Sequence, residues 1–210
     1  MNAASNSEQA ERPLLIVISA PAGAGKSTLC NKLIDLYPGM SYSVSCTTRQ
    51  PRGAEVDGVN YYFLSADTFK ERIANGDFLE YAEVHGHFYG TLKSTVSDTL
   101  QSGGDVIMDI DVQGAKQIRA LCQSEDCDPV LRKAFLDVFI SPPSMDVLEQ
   151  RLRGRDEDSE ETIQKRLRNA EGELACMPLY KYHIVNDDLE TAFKSLQDIY
   201  TSEKSESTEA

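Results

Sequence analysis

The stretch Ala20-Pro21-Ala22-Gly23-Ala24-Gly25-Lys26-Ser27-Thr28 carries the plainest chemistry in this sequence. Its glycines let backbone N–H groups close around an anion, its lysine supplies a mobile cation, and a hydroxyl follows at once. The order approximates G-x-x-x-x-G-K-[ST], the phosphate-cradling P-loop, with Ala20 standing at the first glycine position. Residues 20 to 28 are therefore expected to bind ATP. Lys26 would reach the β- and γ-phosphates, and Ser27 would turn its hydroxyl to Mg²⁺. The apolar run Val106-Ile107-Met108 ends in Asp109, a carboxylate suited to holding the same Mg²⁺, often through water.

Arginine gathers in two further places. Ser43 to Arg52 reads SVSCTTRQPR, where Arg49 and Arg52 flank Pro51 and can fork onto a phosphate. Arg151, Arg153 and Arg155 follow one another closely, with Arg166 and Arg168 beyond the acidic turn at 156–158. One cluster would hold a phosphorylated acceptor, and the other would close over the group in transfer. His85, His87 and His183 have no neighbouring cysteine or third imidazole to make a metal set.

These groups need elements to place them. Leu14 to Ser19, Val106 to Ile110, Ala134 to Ile140 and Tyr182 to Val185 read as strands buried on both faces. Lys26 to Leu36, Gln113 to Cys122, Ser144 to Arg153 and Leu189 to Tyr200 read as helices between them. Such alternation predicts a parallel sheet covered by helices. Residues 41 to 90 break the pattern with short β-like pieces at Tyr61 to Leu64 and Phe78 to Val84, as a small inserted lobe would. Asp158 and Glu161 fit a capping box for a helix whose apolar stripe is Ile163, Leu167, Ala170, Leu174 and Met177.

Composition narrows the function. The 210 residues carry 21 Lys plus Arg against 34 Asp plus Glu, and the net charge of -13 argues against a broad nucleic-acid surface. The five cysteines, with no CxxC pair, fit reduced thiols better than a zinc site or a disulfide framework; Cys122 and Cys127 are read as loop thiols. No apolar run spans a membrane, and Met1 to Arg12 has neither the basic flank nor the apolar core of a secretory signal, so a cytoplasmic location is expected. The tail Thr201 to Ala210, without a large apolar side chain beyond Tyr200, is expected to fray.

Taken together, APAGAGKST, SVSCTTRQPR with GAEVDGVNYYF, FLEYAEVHGHFYGT, MDIDVQGA, RLRGRDEDSEETIQKRL and IVNDD resemble the guanylate kinase family, in order, across nearly all of Leu14 to Tyr200. The resemblance implies an α/β fold: a three-layer P-loop NTPase core with a parallel sheet, an inserted mixed α/β GMP-binding lobe, and a helical lid. It would divide the chain into core (13–40, 92–150 and 170–200), lobe (41–91) and lid (151–169), with disordered ends at 1–12 and 201–210. The implied reaction is Mg²⁺-dependent phosphoryl transfer from ATP to GMP, with dGMP as a second acceptor and no nucleic-acid or membrane partner; oligomeric state is left open. By the same resemblance Ser45, Glu80 and Asp111 recognise guanine. Arg49, Arg52, Tyr61 and Tyr89 bind the GMP phosphate, and Thr91 stands at a Ser/Thr ligand position. Lys26 is the P-loop lysine, Arg151, Arg155 and Arg166 close on the phosphates, and Asn186 lies near the adenine.

Glu80 also has a chemical argument of its own. Guanine offers N1–H and N2–H₂ donors that one carboxylate accepts in parallel, whereas adenine presents a lone pair there. Such a mismatch is rejected by roughly 10⁴-fold or more when the site is buried and polar. Three departures from the common family pattern stand out: Ala22 for a frequent Ser, Asp156 for a usual Gly, and an insertion at Ser124 to Arg132. The rival readings are a non-catalytic guanylate kinase-like protein-binding module and a P-loop kinase for another small acceptor. Retention of Lys26, Ser27 and Arg155 speaks against the first, and Glu80 with the Ser45 segment against the second.

Overall fold

Every residue of Leu15–Ser19 (β1) is buried, because strands flank it on both edges and helices cover both its faces. The computed structural model describes residues 12–84, 86–154 and 159–205. After β1 come α1 (Lys26–Leu36), β2 (Met40–Tyr42), β3 (Cys46–Thr47), β4 (Tyr62–Phe63), α2 (Ala66–Ala74), β5 (Phe78–Val84) and β6 (His87–Leu92). The chain continues through α3 (Lys93–Gln101), β7 (Asp105–Asp109), α4 (Val112–Gln123), α5 (Pro129–Ala134) and β8 (Phe135–Ser141). It closes with α6 (Met145–Arg153), α7 (Glu160–Leu174), a 3-10 turn at Met177–Leu179, β9 (Tyr182–Val185) and α8 (Leu189–Ser205).

The large sheet has the order β2-β7-β1-β8-β9, and all its pairings are parallel. Alternation along β1 builds two cores from one strand. Leu14, Ile16 and Ile18 face α1 and α8, meeting Leu29, Leu33 and Leu196. Leu15 and Val17 face the other way, toward Val96, Leu100, Ala115 and Ile118 on α3 and α4. This is the three-layer α/β core that the strand–helix alternation predicts. One boundary moves: β2 pairs with β7, so residues 41 and 42 belong to the large sheet and not to the lobe.

The second sheet, β4-β3-β6-β5, mixes parallel and antiparallel pairs. Its small core is aromatic: Phe69 of α2 stacks on Phe78 at 4.4 Å and Phe88 at 5.4 Å between ring centroids. Helices α6 and α7 pack through Leu148, Leu152, Ile163 and Ala170. Ser159 caps α7, its hydroxyl accepting the Thr162 N–H, which replaces the box expected of Asp158; that residue lies outside the described ones. The 124–132 insertion folds back as α5, where Asp128 caps the helix and the Arg132 guanidinium donates to the carbonyls of Cys122 and Ser124. All five cysteines are free thiols, and Cys122 sits buried in the last turn of α4 instead of in a loop.

The expectation of a fraying tail is corrected for residues 201–205, while 206–210, like the N-terminal 1–11, lie outside the described residues. Helix α8 runs on to Ser205, held by charge and not by apolar contact. Buried Glu203 accepts from Lys181 and Tyr182 and pairs with Arg12, while the Lys204 ammonium donates to the Asp105 carboxylate at 2.8 Å. Asp105 also accepts the Leu14 N–H and the Tyr200 hydroxyl, so one buried carboxylate ties β1, β7 and α8 together. Asp105→Ala should therefore cost about 3–5 kcal/mol in urea unfolding, the range for stranding a partner of a buried ion pair. A loss below about 1 kcal/mol would show the cluster to be dispensable.

Candidate active site

Ser19 ends β1 and Lys26 opens α1, so the phosphate-cradle residues make one tight strand-to-helix turn. Gly23 and Gly25 both have φ of +93°, a left-handed conformation that side chains resist. Each also lacks room for a Cβ: at Gly23 it would meet Leu152 of α6 at 3.0 Å, and at Gly25 the Asn186 amide nitrogen at 2.3 Å. Gly25 caps α1 with no side chain, which leaves first-turn N–H groups for a ligand. Ala20, in place of a glycine, is buried in the core beneath the turn.

Parallel pairing sets Ile18 beside Asp109 and so delivers the β7 carboxylate to the turn. Lys26 pairs with Asp109 and donates to the Ile110 carbonyl at 3.1 Å, and the Ser27 hydroxyl donates to Asp109 at 2.8 Å. Among the described residues no group of three or more His, Cys, Asp or Glu gathers as a metal set. Ser27 and Asp109 nevertheless present two hard oxygens side by side, a donor pair that suits Mg²⁺ when phosphate oxygens and water complete its shell.

Cavities adjoin this cluster on two sides, and another lies against the turn. One of about 320 Å³ lies over the cradle, bounded also by Asp111 and Glu173. One of about 440 Å³ opens toward the lobe and is lined by Ser45, Asn60, Tyr61, Thr91 and Asp109. The third, about 500 Å³, lies outside the turn between Gly25, Thr28, Arg151, Asn186 and Leu189. Asn186 is buried, its amide donating to the Ala24 carbonyl at 2.7 Å. Arg151 is held on the carbonyls of Asn186 and Asp187, at 2.9 and 3.2 Å, so it stands at this outer cavity. Arg166 is half-buried on α7; Arg155 and Asp156 fall outside the described residues.

In the lobe, Ser45 and Thr91 hydroxyls approach to 3.5 Å. The Tyr61 and Tyr89 rings sit edge to face at 6.1 Å, and the Arg49 guanidinium lies over Tyr61. Arg49 is buried, whereas Arg52 is exposed at the rim. Glu80 is buried on β5 near the start of α4, where Asp111 caps the helix by accepting the Gln113 and Gly114 N–H groups. Burial pushes the Glu80 carboxyl up to about 7; the Asp111 charge adds to this, and hydrogen bonds with Thr91 oppose it. A Cβ on Gly114 would come within 3.0 Å of the Glu80 carboxylate, so this glycine makes the space Glu80 occupies. Gly114, Glu173 and Glu55, discussed below, are site neighbours that sequence reasoning missed. The doublet Gln113-Gly114 inside a helical stretch was the available signal for the first.

Residues 12–203 match the guanylate kinase family model. The chain belongs to that family. A guanylate kinase of Carboxydothermus hydrogenoformans is 44% identical over 194 residues, covering 91% of this chain and 89% of its own. Another, from Anaeromyxobacter dehalogenans, is 47% identical over 192 residues, covering 91% and 81%. The crystal structure of guanylate kinase from Anaplasma phagocytophilum superposes with a TM-score of 0.69 at 31% identity, covering 92% of this chain and 87% of that one. Among the described residues no helix is long and apolar enough to cross a membrane.

The buried carboxylate makes stability depend on pH. The folded state holds the Glu80 proton more tightly than the unfolded chain, whose ordinary value is 4.5. The cost of the buried charge is thus absent below pH 4.5, grows through the interval, and is full above about 7. Glu80→Gln should raise Tm by roughly 5 °C at pH 8, with the gain shrinking toward pH 4.5. A pH-independent difference between the two proteins would contradict the burial cost.

Proposed function

We propose that this protein transfers the γ-phosphoryl group of ATP to GMP, and also to dGMP, giving ADP and the nucleoside diphosphate in cytoplasmic purine recycling. The observation that carries this reading is the meeting of two cavities at one strand end. Asp109 lines the lobe cavity and at the same time holds Lys26 and Ser27 of the phosphate cradle. An acceptor in the lobe and a triphosphate on the cradle would therefore point at each other across the Lys26–Asp109 cluster.

Each group then has a task. Residues 20 to 28 cradle the ATP phosphates, and Asn186 and Arg151 border the outer cavity, where the adenine would lie. Ser27 and Asp109 would hold Mg²⁺, which when bound spreads and neutralises charge on the β- and γ-oxygens. Arg49, Arg52, Tyr61 and Tyr89 hold the GMP phosphate. Glu80 accepts from guanine N1–H and N2–H₂, with Ser45, Thr91 and the uncommitted oxygen of Asp111 completing the polar lining. A GMP phosphate oxygen attacks Pγ as the bond from Pγ to the β,γ-bridging oxygen breaks, and that oxygen leaves with ADP. The attacking oxygen is already anionic, so alignment and charge neutralisation by Lys26 and by Arg151, Arg155 and Arg166 do the catalysis. Lid closure would also exclude water that could otherwise take the phosphoryl group.

An assay of ADP release with GMP, dGMP, AMP, CMP and UMP in parallel tests the reading. Turnover confined to GMP and dGMP is expected; none with any acceptor would favour a non-catalytic binding module. Lys26→Ala should lower kcat by roughly 10²–10³-fold. Arg49→Ala should instead raise KM for GMP by about 10–100-fold, the scale of lost hydrogen bonds to a charged group. Unchanged kinetics in either variant would remove the role assigned to that residue.

A further inference from the structure

Arg49 has five N–H donors, and the structure accounts for three of them within its own loop. Nη1 donates to the Gln50 carbonyl at 2.8 Å and to Glu55 Oε2 at 2.9 Å, and Nη2 donates to Glu55 Oε1 at 2.9 Å. Glu55 thus grips the end of the guanidinium with both oxygens. What remains is Nε–H and the second Nη2–H, which share one edge of the planar group and form a second fork. The Tyr89 side chain lies near enough to act on the Arg49 guanidinium. The ring of Tyr61 lies against the guanidinium, its centroid 5.4 Å from Cζ. The uncommitted fork therefore lies beside Tyr61, which lines the lobe cavity.

We infer that Glu55 is a positioning residue for the acceptor site: it clamps one fork of Arg49 from behind and aims the other at the phosphate of the nucleoside monophosphate. This rests on the assignment of Arg49 to that phosphate. The clamp is itself fixed. The Arg52 N–H donates to Glu55 Oε2 at 2.7 Å, and the Glu55 N–H returns a bond to the Arg52 carbonyl at 3.0 Å. One carboxylate thereby closes the 49–55 loop and sets the backbone from which Arg52 projects. The bonds from Arg49 and the Arg52 N–H hold the Glu55 carboxyl below the usual carboxylate range, so it stays ionised near neutrality. A planar cation gripped on one edge loses little freedom when a phosphate takes the other, which is how preorganisation favours binding. The opposite possibility is that Glu55 occupies the phosphate's place and must be displaced.

Kinetics of Glu55→Ala, Glu55→Gln, Arg49→Ala and the Arg49→Ala/Glu55→Ala double variant separate these cases, with melting temperatures recorded alongside. Glu55→Ala should raise KM for GMP by about tenfold or more, with kcat at saturating GMP and KM for ATP near wild type. Glu55→Gln, which keeps one acceptor, should lose less and reports on the clamp if the alanine variant folds poorly. Guanosine, lacking the phosphate, should inhibit wild type and Glu55→Ala equally well, which a general loosening of the lobe would not allow. In the double variant the Glu55 effect should vanish into that of Arg49→Ala. A KM for GMP that is unchanged or lower in Glu55→Ala, with Arg49→Ala impaired, overturns the inference alone. If Arg49→Ala itself binds GMP normally, the phosphate assignment beneath it fails.

Discussion

Parallel pairing of β1 with β7 is the constraint on which the site depends. It sets Ile18 opposite Asp109, so the carboxylate arrives where the chain turns from strand into α1. Lys26 and Asp109 then neutralise one another at neighbouring strand ends, and neither charge has to be carried alone at the edge of the core. Both side chains are only partly shielded from water, which lowers the desolvation cost of the pair. A shift of register by one residue would turn Asp109 to the other face and disperse the cluster.

A second theme is how an acidic chain builds sites for anions. The net charge of -13 is uniform only on average. Locally, arginine is anchored by carboxylates that also organise backbone, as Asp137 does in binding Arg119 and the Lys181 N–H, and Glu55 in the lobe. These pairs fix direction more than they add stability, since desolvation offsets much of their Coulombic gain. Glu80 is the converse case. Among the described residues no cation offsets its charge, so its burial carries an energetic cost.

Much of this was legible in the sequence because period and chemistry agreed. Four strands, the cradle and Asp109 follow from continuous apolar runs and one spaced motif, and the structure returns them nearly residue for residue. The exception is in burial: β9, read as buried on both faces, is an edge strand in which only Ile184 is buried. The short helices α2, α3 and α5 were not legible. Their apolar positions are few, and what defines them is packing of Phe69, Val96 and Leu131 against partners distant in sequence. The docking of Thr201–Ser205 was missed for a related reason: pattern reading credits apolar burial, while Glu203 and Lys204 are held by ionic contacts with Lys181, Arg12 and Asp105. Within the site, arginine spacing pointed to Arg49, and the family resemblance to Glu80. Gly114 left a faint trace in the Gln113-Gly114 doublet, whereas Glu55 needed coordinates, since an arginine's occupied edge has no signature in sequence.

The contact between Arg12 and Glu203 has an architectural consequence. Asp105 opens β7 and Asp109 closes it, so the ionic cluster around Asp105 marks the rim of the sheet opposite the nucleotide cavities. There the first and last described segments run side by side, with the Lys204 ammonium donating to the Arg12 carbonyl at 3.1 Å. Segments that meet in this way can be spliced by a short linker and the chain reopened at an exposed loop. A permuted protein of that kind should keep the cradle and its cavities, because none of the residues that line them lies along the seam.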